Sequence, residues 1–143
     1  MRTAIDTNIV SALWSDEPLA RQISRLLGDV RSEGGLVVSG VVYAELLAHP
    51  KVAEEFVDQF LAETGIEVDF DFDEEVWRMA ARRFSQYAVR RRASRGGPSK
   101  RLLADFLVGA HALVRADRLL TADAGGLPAG LSGTGDSGGL KGN

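Results

Sequence analysis

The sequence predicts an α/β sandwich built on a mainly parallel sheet. Four short apolar or β-branched runs, at residues 2–5, 36–39, 66–70 and 118–121, are separated by stretches with helical periodicity. The chain has 143 residues, 45% of them hydrophobic, and no apolar stretch near the roughly 18 residues needed to cross a bilayer, which fits one globular domain with a single core. No internal repeat interrupts it.

The first strand stops at Asp6, where "DTN" hands over to a helix. Leu19, Ile23, Leu26, Leu27 and Val30 then recur at helical spacing, and Gly34-Gly35 ends that segment. Ser39 is placed to cap "GVVYAELLAHP", which Pro50 limits before a second helix carrying Val52, Phe56, Phe60 and Leu61. In "DEEVWRMAARRFSQYAVRRR", Asp73 is the candidate N-cap. Glu74 and Glu75 fill the first turn and arginines the last, as the helix dipole favours. "ASRGGPSK" reads as a loop and "DFLVGAHALVRA" as one more apolar helix. From Gly125 onward eight of 19 residues are glycine, so the domain is read as residues 1–124, followed by a poorly ordered tail over 125–143.

The chain lacks cysteine, which excludes disulfides and thiolate chemistry, and no secretory-type segment precedes the first strand; a cytoplasmic location is the expectation. The net charge of -3 hides an uneven distribution. Nine of the 17 basic residues fall between Arg78 and Arg101, which makes a local basic face available.

Asp6, Glu45, Asp105 and Asp123 stand out because each interrupts or ends an apolar segment. Asp6 and Asp105 have an ordinary alternative as helix N-caps, a role worth about 1 kcal/mol, and Asp123 as a turn residue. Glu45, between Val41, Val42, Ala44, Leu46 and Leu47, reads as a carboxylate on a thin polar stripe, where burial without a partner is costly. Spacing brings the four together. Asp6 ends the first strand and Glu45 lies in the first turns after the second. A helix from 105 to 116 descends about 17 Å, and a strand from 118 to 123 climbs back about 17 Å. All four then lie outside the carboxyl ends of the strands, where open parallel sheets place their functional crevice.

Four carboxylates in one pocket require protons or a cation. An all-oxygen set favours a hard divalent ion, Mg²⁺ or Mn²⁺, over zinc. Such an ion suits phosphodiester hydrolysis, because it lowers the pKa of an attacking water and neutralises phosphate oxygens. His49, beside Pro50, and His111, on an apolar helix, read as structural.

"AIDTNIVSALW", "VVYAELLA", "RLLADFLVGAHAL" and "RLLTADAG", in that order over residues 1–124, resemble the motifs of PIN-domain ribonucleases, specifically the VapC-type toxins of type II toxin-antitoxin pairs. The resemblance implies a compact three-layer α/β/α domain that binds Mg²⁺ or Mn²⁺ and cuts RNA endonucleolytically. It also implies a homodimer restrained by a small VapB-like antitoxin whose C-terminal segment blocks the site. Asp6, Glu45, Asp105 and Asp123 match the acidic positions. Asn8 and Thr121 match polar positions that support them, and Thr7 joins Asn8 in fixing the turn after Asp6. The chain departs from the family after Asp123: neither an aromatic-containing turn nor a final β-branched run follows.

Arg90, Arg91, Arg92, Arg95, Lys100 and Arg101 crowd the segment before Asp105 and read as a rim for RNA phosphates, or alternatively as a solvated face paired with nearby acids. Trp77, Phe84 and Tyr87 fit a core or dimer face better than a base-stacking platform. Three other functions compete. An aspartyl-phosphate enzyme would need a second acid that "DTN" lacks. An RNA-processing nuclease of the same superfamily, and an inactive domain that still binds antitoxin or RNA, share the motifs.

Overall fold

The computed structural model describes residues 1–15, 18–94 and 102–122, together with the backbone of 128–133. Four parallel strands, β1 (Thr3–Ile5), β2 (Leu36–Ser39), β3 (Ile66–Asp69) and β4 (Arg118–Ala122), form the sheet in the order β3-β2-β1-β4, and β5 (Pro128–Gly133) adds to the β4 edge antiparallel. Every predicted strand is present within a residue of its expected bounds. β5 was not anticipated. It forms through backbone pairing to β4, which requires no β-branched run, and its Pro128 sits at the strand start on the sheet edge, where a missing N–H is tolerated. The loop expected over 93–100 begins later, because α5 runs through Ala93 and Ser94 is its C-cap; Arg95, Lys100, Arg101 and Asp123, the remainder of that loop and the rest of the tail lie outside the described residues.

Helices α1 (Thr7–Leu13) and α2 (Pro18–Glu33) link β1 to β2, and α3 (Gly40–Leu47) and α4 (Glu54–Thr64) link β2 to β3. α5 (Glu74–Ala93) and α6 (Leu103–Arg115) return the chain across β2 and β1 to β4. Right-handed crossovers put the first linkers on one face of the sheet and α5 with α6 on the other, giving three layers. β1 and β2 are buried throughout, as central parallel strands covered on both faces must be. Val76, Ala80, Leu107 and Ala110 form a second small cluster that joins α5 to α6.

Local sequence explains most of the element ends. Ser39 caps α3 by accepting the Val42 N–H, and Asp73 caps α5 by accepting that of Val76. Gly65 closes α4 in the left-handed region at φ 70°, where a side chain would be strained and would also strike Arg31. One expectation and one alternative are corrected. Val52 precedes α4, which buries Val57 and Leu61, while Phe56 and Phe60 pack edge-on against Trp14 at 5.5 and 5.6 Å. Asp105 is the third residue of α6 and not its cap: its carboxylate reaches back 3.0 Å to the Leu102 N–H. Leu102 has no polar side chain to return the bond, so only half of a capping box exists.

Candidate active site

The strand order reverses between β1, which leads away to β2, and β4 on its other side. That makes the carboxyl ends of these two strands the switch point of the sheet. Asp6 stands there. Its backbone N–H extends the β1–β4 ladder to Leu120 O at 3.0 Å, which fixes the side chain beside the end of β4. Oδ1 accepts the Thr7 N–H at 2.7 Å and Oδ2 accepts the Thr121 hydroxyl at 2.8 Å. The cap role and the candidate site position thus coincide in one carboxylate.

Thr7 does more than shape the turn. Its hydroxyl donates to Glu45 Oε1 at 2.8 Å and ties α3 to the start of α1. Glu45 itself is exposed, contrary to its apolar neighbourhood in sequence: α3 buries Val42 and Leu46 and turns Glu45 to the rim. Asn8 clamps the end of β4. Its side-chain amide donates to Ala122 O at 3.1 Å, and its side-chain oxygen accepts the Ala122 N–H at 3.2 Å, which holds the residue immediately before Asp123.

Electrostatics join Asp105 to this group without a direct bond. Burial pushes the Asp6 carboxyl up, the Thr121 and Thr7 hydrogen bonds oppose it, and the charge of Asp105 adds to the rise. Glu45 is also raised, first by partial desolvation, against the Thr7 hydroxyl, and then by the charges of Asp6 and Asp105. Among the described residues, no three acidic or histidine side chains stand as close as the ligands of a bound ion. Each carboxylate is instead tied to a donor of its own scaffold, as mutual repulsion demands. The donor set still fits a hard divalent cation, because it is all oxygen, its charges repel one another, and a carboxylate oxygen holding one hydrogen bond keeps a second lone pair.

A pH dependence follows. Groups with raised folded pKa values favour folding below their unfolded values, 3.8 for Asp6 and 4.5 for Glu45, and this contribution is lost as pH rises through the folded values. Glu45→Gln in EDTA is therefore expected to melt higher than wild type at pH 7 and to converge with it toward pH 4. Melting temperatures across that range check this, and an unchanged difference would remove the electrostatic account.

Of the basic rim, Arg90 and Arg92 are exposed in the last turn of α5, while Arg91 is half-buried with its guanidinium 3.4 Å from the Tyr87 hydroxyl. Earlier on the helix Arg78 is paired with Glu74. Phe84 and Tyr87 each pack on Phe106 of α6 at 5.3 Å, consistent with the core-facing alternative. Trp77 stays 49% exposed beside Phe72. Sequence reasoning gave no partner for His111: it is buried, with Nε2 2.9 Å from Asp69 Oδ2. Only the fold brings the aspartate of β3 under α6, so no spacing could have revealed the pair. Among the described residues no helix is long and apolar enough to cross a membrane.

Two solved structures share this architecture. One is VapBC2 from Rickettsia felis bound to a fragment of its promoter DNA, with a TM-score of 0.60 at 20% identity, covering 86% of this chain and 88% of that one. Another is VapBC-1 from nontypeable Haemophilus influenzae, with a TM-score of 0.54 at 23% identity, covering 88% and 90%. No curated protein sequence matches the chain. The PIN domain model matches residues 3–127, a span that holds β1 to β4, the Asp6–Thr121 junction and all four acidic positions, and the chain accordingly belongs to the PIN domain family.

Proposed function

We propose that this protein is a Mg²⁺- or Mn²⁺-dependent endoribonuclease, the toxin of a toxin-antitoxin pair, acting as a homodimer and restrained by a small VapB-like antitoxin. PIN domains are nucleases, and the observation that carries the reading is the Asp6 carboxylate at the strand switch point, held between Thr7 and Thr121 within the field of Glu45 and Asp105. The toxin assignment draws support from the VapBC complexes that share the fold.

Asp6, Glu45, Asp105 and Asp123 would hold the ion, with Thr7, Asn8 and Thr121 fixing the carboxylates. Bound there, the ion supplies charge neutralisation for the phosphodiester and a lowered pKa for the attacking water. The chain's own part is orientation: Thr121 aims Asp6, Thr7 aims Glu45, and Asn8 anchors the strand end that leads into Asp123. Arg90, Arg91, Arg92, Arg95, Lys100 and Arg101 would contact the RNA backbone and bring the strand to the carboxylates.

Purified protein incubated with total cellular RNA is expected to give discrete cuts with Mg²⁺ or Mn²⁺ and none with EDTA. Absence of cleavage with either metal would overturn the nuclease reading. Replacing Arg90, Arg91 and Arg92 together with Ala is expected to weaken RNA binding and flatten its salt dependence by about two units of log K against log salt. An unchanged slope in a filter-binding series would dismiss these arginines as phosphate contacts.

A further inference from the structure

The nuclease reading needs Asp105 to face Asp6 and Glu45, yet the apolar pattern of α6 does not set that direction. Its residues from Leu107 to Ala112 are all buried. Successive residues turn by about 100°, so this run covers the whole circumference of the helix and leaves no single apolar stripe. Gly109, Ala110 and Ala112 are small, which makes the ridges facing α5 and the sheet shallow. Val108 and Ala112 face the main core while Leu107, Ala110 and Phe106 face α5, so packing holds the helix in place. With small residues at three of these buried positions, its exact rotation is sharpened by directional contacts.

The buried polar side chain on α6 is His111, 1% exposed, with Nε2 2.9 Å from Asp69 Oδ2 at the end of β3. Burial holds the imidazole below its ordinary pKa against the pull of Asp69, so the ring is neutral and its Nε2–H donates. Burial alone would raise the Asp69 carboxyl, but the His111 bond, the Asp71 N–H and nearby positive charge bring it below its usual value, so it accepts as a carboxylate. Phe72 stacks on the ring at 5.7 Å. One turn further, Arg115 reaches Asp73, the N-cap of α5, at 2.6 Å. Two links four residues apart on α6 thus grip two points four residues apart on the segment 69–73. Asp105 lies about 9 Å further up the helix from His111.

We propose that the Asp69–His111 bond, seconded by Asp73–Arg115, is a positioning clamp that sets the rotation of α6 and thereby the direction in which Asp105 faces. The inference rests on the carboxylates being the metal centre. His111 acts on Asp105 through the helix and is a positioning residue. The same clamp fixes α6 relative to the start of α5, so the acidic and basic parts of the site keep one relative phase.

The chain contains no cysteine, so paired nitroxide labels can be placed at exposed Leu103 on α6 and exposed Asp29 on α2 by Leu103→Cys and Asp29→Cys. With the labelled protein held in EDTA, His111→Leu is expected to shift or broaden the label distance by about 2 Å. His111→Gln, whose side-chain amide supplies a donor in place of Nε2–H, is expected to restore the original distribution. Mn²⁺ affinity, followed by titration on unlabelled protein, is expected to fall about tenfold in His111→Leu and to recover in His111→Gln. An unchanged distance in His111→Leu overturns the clamp, and so does a shift that Gln fails to reverse, since packing alone would then be responsible. If wild-type protein takes up no Mn²⁺, the metal-centre reading fails, while the distances still decide whether His111 sets the helix.

Discussion

Asp6→Asn is expected to lower RNA cleavage by about 10²–10³-fold while leaving the metal-free protein at least as stable as wild type at neutral pH. The loss follows from removing the charge at the switch point between β1 and β4. Stability is retained because Asn can keep the local bonding. Its oxygen can accept the Thr7 N–H, and its amide can donate to Thr121 Oγ1, whose proton is free to turn to Ala122 O, 3.5 Å away. The substitution also removes a carboxylate that burial and the charge of Asp105 hold above its ordinary pKa, a group that costs stability when ionised. Melting curves in EDTA and with Mg²⁺ separate the two effects: the variant should match or exceed wild type in EDTA and gain little from Mg²⁺. A large drop in melting temperature in EDTA would mean that Asp6 serves as a structural cap.

Asn8→Ala is expected to reduce cleavage by about 10–100-fold, the scale typical of losing a group that orients a metal ligand. Two hydrogen bonds to Ala122 disappear together, and Asp123 follows directly in the chain. Because these bonds are exposed, water replaces part of them, and the stability cost should be only about 1 kcal/mol. Asn8→Asp keeps the acceptor for the Ala122 N–H and loses the donor, so it should fall between Ala and wild type. Urea unfolding alongside cleavage assays checks both quantities, and cleavage within twofold of wild type would remove Asn8 from the supporting set.

What could be read from the sequence was local. The strands needed only short apolar runs between helical periods, and the Ser39 and Asp73 caps needed only a polar side chain ahead of such a period. Asp6 was legible as a cap, and as a candidate site residue, because it ends a strand. Glu45 reads in sequence as a carboxylate on a thin polar stripe, but how far it reaches the rim depends on the rotation of α3, which buries Val42 and Leu46. The N-cap alternative for Asp105 fails because a leucine stands at the cap position, and the aspartate, third in the helix, bonds back to that leucine's N–H. The Asn8–Ala122 clamp and the Asp69–His111 bond join residues 114 and 42 positions apart, and no spacing rule reaches that far. β5 escaped because it forms through main-chain groups.

The separation of 115 residues between Thr121 and Asp6 bears on how the protein is made. A chain growing from its N-terminus exposes β1 early but has no β4 to set beside it until nearly the whole domain has emerged. Throughout most of its synthesis the nascent chain therefore carries Asp6 and Glu45 without the strand that aims them. The proposed RNA-cutting site, so placed, cannot assemble while the ribosome is still in the earlier part of the reading frame, and prematurely terminated fragments are left without it.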